Sequence, residues 1–356
     1  MIKADAYGHG SVEVYRALFK AGQKNFGLAT LEEAIELRIK NSELREATSL
    51  LVFSPLNRAA FKAAIEHNVT LVLSSWQEIQ ELEAVCAELK LKNRVQVHLK
   101  FNTGMSRLGF DIQDSEKLSQ KFYQHSALEL EGVCTHLAEG EDSHLEDGFS
   151  AEQFKKFAEV EKKFSQHQIY FHALNSLGLI GTYLNSKLGA RWGARPGLSL
   201  YGIKPELYQL SGEMAEKWKS IDLQPVLELK TKVILVQPLK KGESVSYNRR
   251  WTCQKDSQIG VLPIGYADGY HRRLTNKGRM LVAGQLVPVV GTVCMDYTLV
   301  DLTHLESKTN WRDATVTIIG QDNNHTIKAE ELADAIGTNA YEVLTSISRR
   351  VPRVYR

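Results

Sequence analysis

Between residues 11 and 200 the sequence switches repeatedly between two periods, and no other feature limits the fold so tightly. Stretches with apolar residues three or four apart, the spacing of a helix with one buried face, alternate with short β-branched runs of strand length. Helices are predicted at Ser11 to Leu18, Leu31 to Lys40, about Arg58 to Glu66, and about 76 to 90, 113 to 125, 151 to 166 and 176 to 183. The strands between them are Phe26 to Ala29, Leu50 to Phe53, Thr70 to Leu73, Val95 to Phe101, Leu128 to His136, Ile169 to Ala173 and Arg191 to Arg195. Runs this apolar suit a parallel sheet covered on both faces. An eighth strand would close a (β/α)8 barrel, and the one place for it is immediately before Lys3. The expected fold is therefore α/β: a TIM-type barrel over residues 1–221 whose first strand is largely missing.

From residue 222 the period changes. Val226 to Leu239, Ile259 to Gly265 and Met280 to Leu302 read as strands joined by glycine turns, and Ala329 to Ile336 and Tyr341 to Ile347 as two closing helices. Residues 222–356 thus form a mostly β C-terminal domain.

Composition narrows the task more than the fold. With 44 Lys plus Arg against 42 Asp plus Glu, the net charge of +2 gives no field that would favour nucleic acid or a membrane. Cys86, Cys134, Cys253 and Cys294 lie far apart without C-x-x-C spacing, so neither a metal site nor a disulfide framework is suggested. No run is long and apolar enough to span a bilayer, and two residues before Lys3 leave no room for a signal peptide. A cytoplasmic protein acting on a small molecule is the expectation.

The chemistry concentrates at predicted strand ends. Lys3-Ala4-Asp5-Ala6-Tyr7-Gly8-His9-Gly10 sets a lysine ahead of a glycine-rich turn, which suits covalent attachment of an aldehyde cofactor: glycines admit a phosphate near the backbone while the amine reaches the carbonyl carbon. Lys3, Lys100, His136, Asn175 and Arg195 would share the face where barrels keep their active sites. Further ordered motifs are Lys100-Phe101-Asn102-Thr103-Gly104-Met105-Ser106-Arg107-Leu108-Gly109, His172-x-x-Asn175-Ser176, Arg195-Pro196-Gly197-Leu198, Val245-Ser246-Tyr247, Ile264-Gly265-Tyr266-Ala267-Asp268-Gly269 and Cys294-Met295-Asp296.

Taken in order, these motifs resemble the signatures of alanine racemases, pyridoxal 5'-phosphate (PLP) enzymes of the barrel type, over nearly the whole chain. The resemblance implies that Lys3 holds PLP and that Lys3 and Tyr247 are the two bases that exchange the substrate's α proton on opposite faces, interconverting L- and D-alanine for cell-wall peptidoglycan. It implies that Tyr7, Arg107, His136, Asn175, Ser176, Arg195, Gly197 and Leu198 bind the cofactor. On the same resemblance, Arg195 would face the pyridine nitrogen, and Ser176 with the N–H groups of Gly197 and Leu198 would cradle the phosphate. The resemblance further implies that Arg107, Met295 and Tyr266 contact substrate, that Lys100 carries a carbamate, and that a homodimer with shared sites forms. Two positions depart from the family pattern: Asn102 stands where aspartate is usual, and Arg349 replaces a frequent tyrosine. A serine or broader-scope racemase of the same fold, or an inactive fragment lacking its first strand, are the alternatives.

Overall fold

The computed structural model describes residues 1–123, 127–184, 192–205, 207, 209–305 and 310–356. The chain divides into two compact units, one of residues 1–6 and 10–223, the other of residues 7–9 and 224–356.

The first unit is built on seven parallel strands in sequence order: β1 (Asn25–Leu28), β2 (Ser49–Val52), β3 (Thr70–Leu73), β4 (Val95–Lys100), β5 (Leu128–Cys134), β6 (Tyr170–Leu174) and β7 (Gly193–Ala194). Strand follows helix at each predicted place. Of the last predicted strand, Arg191 lies outside the described residues, as do residues 124 and 125 at the end of the helix expected over 113–125. Every residue of β3 is buried, as a strand covered on both faces requires. The flanking helices announce their starts: Thr30 and Glu33 form a reciprocal cap, and Asn57 and Ser75 each accept an N–H of the first turn.

No eighth strand pairs with this sheet among the described residues. Met1 and Ile2 instead touch both of its ends: Ile2 N–H donates to the Gly27 carbonyl of β1 and the Met1 nitrogen to the Pro196 carbonyl beyond β7, each at 3.0 Å. Ile2 is fully buried.

The second unit contains β8 (Leu229–Lys232), β9 (Leu235–Leu239), β10 (Ser244–Val245), β11 (Trp251–Thr252), β12 (Ser257–Leu262), β13 (Arg279–Val282), β14 (Gln285–Pro288), β15 (Thr298–Asp301), β16 (Thr315–Asp322) and β17 (His325–Ile327), all antiparallel in their pairings. The single strand expected over Val226 to Leu239 is two strands, because the backbone changes partner: β8 pairs with β16 and β9 with β12. Two helices, Ala329–Ile336 and Ala340–Thr345, follow β17. Arg353 donates to the carbonyls of Gly8, Ile347, Ser348 and Val351.

Candidate active site

Parallel strands deliver their C-terminal ends to one face, and the predicted residues collect there. Lys100 is the last residue of β4, His136 lies two past β5, Asn175 one past β6 and Arg195 one past β7. Lys3 does not end a strand. After Ile2 the backbone enters a left-handed turn, with φ between 51° and 55° at Ala4, Asp5, Ala6 and Tyr7. Four successive non-glycine residues there cost roughly 1 kcal/mol each. The turn is fixed by Ala6 N–H to Ile2 C=O, Gly10 N–H to Asp5 C=O, and Ser11 N–H to the Asp5 carboxylate at 2.7 Å. Glu33, already capping the helix Leu31–Lys40, also accepts the Ala4 N–H.

Lys100 is nearly fully buried. Burial, then the charges of Arg107, Arg195 and Lys3, hold its pKa below the ordinary lysine value, against the opposing influence of Cys134. Lys3 is lowered by burial and by Arg107, with Glu33 opposing. His136 is lowered to about 3 by burial and by Arg195, Lys100, Arg107 and Lys3 in turn. Among the described residues Lys3, Lys100, Arg107 and Arg195 thus act on one another as cations, opposed by Glu33 at Lys3 and by Cys134 at Lys100. Cations grouped in this way suit an oxygen anion.

Arg107 is held out on a loop whose geometry explains the Asn102 departure: the Asn102 side-chain oxygen accepts N–H groups of Gly104 and Ser106. Gly109, at φ 129°, closes this loop where a Cβ would lie 2.6 Å from the Asn102 nitrogen. Ser176 starts the helix Ser176–Leu184, and its Oγ accepts from the N–H groups of Gly197 (2.9 Å) and Ser199 (3.2 Å). With two donors already received, that hydroxyl keeps its own proton for an incoming anion at a helix N-terminus. The Gly197 N–H is thus spent on Ser176. Asn175 accepts the Gly178 N–H through its side chain and so caps the same helix.

Arg195 is clamped more fully than its sequence context foretells. Nη1 donates to His172 Nδ1 (2.7 Å) and to the His172 carbonyl (2.6 Å), and Nη2 to the Thr135 carbonyl (2.6 Å), with longer approaches to His136 Nδ1 and the Ala173 carbonyl. Its Nε–H has no acceptor among the described residues. His172 Nε2 in turn meets His98 Nδ1 at 2.8 Å. His98 is a site residue that the motifs did not mark. The signal was its place two residues before Lys100 on one strand, which sets both on the same face of the sheet.

In the second unit, Tyr247, Tyr266 and Met295 are 69 %, 43 % and 53 % exposed and sit on three linked segments. Tyr266 and Ala267 donate their N–H groups to the carbonyls of Cys294 and Met295. Thr292 Oγ1 donates to the Tyr247 carbonyl and Ser246 Oγ to the Thr292 carbonyl. Left-handed φ values at Ser246, Asn248 and Arg249 bring the chain sharply past Tyr247. Arg350 ties two of the segments together through Asp268 (2.8 Å) and Asp296 (2.7 Å). Tyr7 packs in this unit too, its ring 5.9 Å from that of Tyr341.

A parallel strand-end face carrying a buried lysine, an anion cradle and an arginine clamp defines a barrel-type enzyme that handles an anionic aldehyde cofactor or a substrate of like charge. The sequence matches the family models described as alanine racemase, N-terminal domain, over residues 1–205 and alanine racemase, C-terminal domain, over residues 226–355. The chain belongs to the alanine racemase family. Among its relatives, the alanine racemase of Sorangium cellulosum (strain So ce56) is 36% identical over 100% of this chain and 90% of that protein, and alanine racemase 2 of Caldanaerobacter subterraneus subsp. tengcongensis 33% over 100% and 87%. Among solved structures, alanine racemase from E. faecalis superposes with a TM-score of 0.85 at 28% identity, covering 100% of this chain and 90% of that one. Alanine racemase from Bartonella henselae, solved with covalently bound pyridoxal phosphate, gives 0.83 at 28% identity, covering 100% and 91%.

Proposed function

We propose that this protein interconverts L- and D-alanine with PLP held on Lys3. The observation that carries this reading is the grouping of Lys3, Lys100, Arg107 and Arg195 by the strand-end face, with Glu33 opposing at Lys3. Such a cluster fits a ligand bearing a phosphate and a phenolate, and the Ser176 hydroxyl, which still has its own proton to donate after receiving the Gly197 and Ser199 N–H groups, suits the phosphate beside the Leu198 N–H. When bound, PLP supplies an aldehyde for the substrate amine and a conjugated ring that spreads the charge left at Cα. Arg195 presents Nε–H to the pyridine nitrogen, and being permanently cationic it keeps that nitrogen an acceptor. Arg107 pairs with the phenolate oxygen and the substrate carboxylate, Tyr7 and Asn175 border the cofactor, and a carbamate on Lys100 turns a costly buried cation into an anion that orients Arg107.

Lys3 Nζ takes or gives the Cα proton on one face and Tyr247 Oη on the other. Inversion requires two bases on opposite sides. His136 has Nδ1 facing Arg195, so its hydrogen sits on Nε2, a donor suited to lowering the pKa of a phenol. The Met295 N–H, which has no acceptor among the described residues, holds the substrate carboxylate, and Tyr266 guards the approach. A second copy of the chain covers the exposed Tyr247, Tyr266 and Met295, making a homodimer with shared sites. Four free cysteines suit a cytoplasmic enzyme that supplies D-alanine for peptidoglycan. The test is borohydride treatment of the PLP-loaded protein followed by peptide mapping. The label is expected on Lys3, and an unmodified Lys3 refutes the assignment.

A further inference from the structure

Behind Arg195 runs a chain of buried rings that reaches the far side of β5. Arg195 Nη1 donates to His172 Nδ1, His172 Nε2 meets His98 Nδ1, and His98 Nε2 lies 4.0 Å from a carboxylate oxygen of Glu131. Guanidinium does not give up its proton, so it can only donate. His172 Nδ1 must therefore hold a lone pair, which puts that ring's hydrogen on Nε2. His98 Nδ1 must then accept, which puts its hydrogen on Nε2 as well, toward Glu131. One arrangement of neutral rings satisfies every contact. Burial and the charge of Arg195 keep both rings neutral.

Room for this chain is built into the strands. Gly132 of β5 lies under the His98 ring, where a Cβ would stand 2.3 Å from Nδ1. The two rings meet edge to face, with centroids 5.0 Å apart.

We propose that His98, seated over Gly132 with Glu131 at its outer nitrogen, is a positioning residue that locks His172 as the Nε2–H tautomer and so keeps His172 Nδ1 a permanent acceptor for Arg195. The guanidinium is thereby turned so that Nε–H is the donor left for the cofactor's ring nitrogen; this last step rests on the function proposed above. Without the lock, His172 can place its hydrogen on Nδ1, where it opposes Arg195 and swings the guanidinium off its aim.

The primary test needs neither a variant nor the cofactor. In protein labelled with nitrogen-15 at histidine and free of PLP, the side-chain resonances of His98 and His172 are expected to be those of neutral rings with hydrogen on Nε2. A cationic ring, or hydrogen on Nδ1 of either, overturns the proposal. In His98→Leu the His172 resonances are expected to split between tautomers, with kcat down at least about tenfold and KM little changed. His98→Asn offers a side-chain oxygen to His172 Nε2–H and is expected to recover both. Equal losses in the two variants mean that His98 is mere packing, and the proposal falls. Gly132→Ala displaces the ring without removing a polar atom and is expected to match His98→Leu; wild-type tautomers and turnover there also overturn it. Because the nitrogen spectra precede any PLP, a Lys3 that refuses the cofactor sinks the proposed function alone, and a wrong tautomer sinks the lock alone.

Discussion

An amine attacks a carbonyl or lifts a proton only in the fraction that has already lost its own, and Lys3 gains that fraction from burial first and from the Arg107 charge second, against Glu33. Arg107→Gln removes a repelling cation, favours the ammonium form and is expected to raise the Lys3 pKa toward its ordinary value. Glu33→Gln removes the opposing anion and is expected to lower it further. The pH dependence of Lys3 reductive methylation, read by peptide mass, distinguishes them; shifts of the same sign in both variants contradict this electrostatic picture. Tyr247 carries the matching prediction on the other face. Tyr247→Phe keeps the ring and deletes the hydroxyl, so in deuterated water the α proton of one alanine enantiomer is expected to exchange still, through Lys3, while that of the other stops. Equal residual exchange of both enantiomers would leave the two-base assignment without support.

At the scale of elements, the left-handed turn after Ile2 is the least expected piece of backbone and the one that aims Lys3. Ala4 is exposed and its side chain has nothing to lose, so its φ of 51° is a pure backbone cost. Ala4→Gly removes about 1 kcal/mol of that strain while adding somewhat less in unfolded-chain entropy. A small gain in stability on urea denaturation is expected, the reverse of what this substitution does in an ordinary helix; a loss of about 1 kcal/mol would mean the turn is not left-handed in solution. This element was illegible in the sequence because Lys3-Ala4-Asp5-Ala6-Tyr7 contains no glycine, and the cause of the turn is tertiary: Glu33 and the Ser11 N–H take its polar groups. The strands and helices of the first unit were legible for the opposite reason. Their period is set locally, as in the helix Leu31–Lys40, where Thr30 and Glu33 mark the start within four residues of sequence. Between these extremes lies the β8 to β9 break, where Val233 bonds Ala314 and Ile234 bonds Val261. A change of partner leaves no mark in a continuous apolar run. The strand-end cations could be found from motifs, whereas His98, Glu131 and the Thr292 contact depend on neighbours distant in sequence.

For the molecule as a whole, the buried imidazoles set how stability depends on pH. His98 and His136 are lowered to about 3 and His172 falls well below its ordinary 6.5, in each case by burial first and Arg195 second. The unfolded chain takes up these protons near 6.5 while the folded chain does not, so below that pH the unfolded state binds more protons and is favoured. The contribution is whole above about 6.5 and is lost as pH falls toward 3, at up to about 1.4 kcal/mol per pH unit for each ring. Glu131 works the other way: burial and Glu129 raise its pKa above the ordinary carboxylate value, so the folded state holds its proton more tightly and offsets part of the loss within the acid half of the imidazole window. Urea denaturation from about pH 7 to about pH 5 is thus expected to show a steep loss of stability. In His98→Asn, which keeps an acceptor for His172 but has no proton to gain, the slope is expected to fall by one ring's share. A flat wild-type profile would mean that the folded protein takes up these protons as readily as the unfolded chain. In that case His172 Nδ1 would carry a proton below about pH 6.5 and could not accept from Arg195 there, and the geometry described for the strand-end face would not survive at that pH.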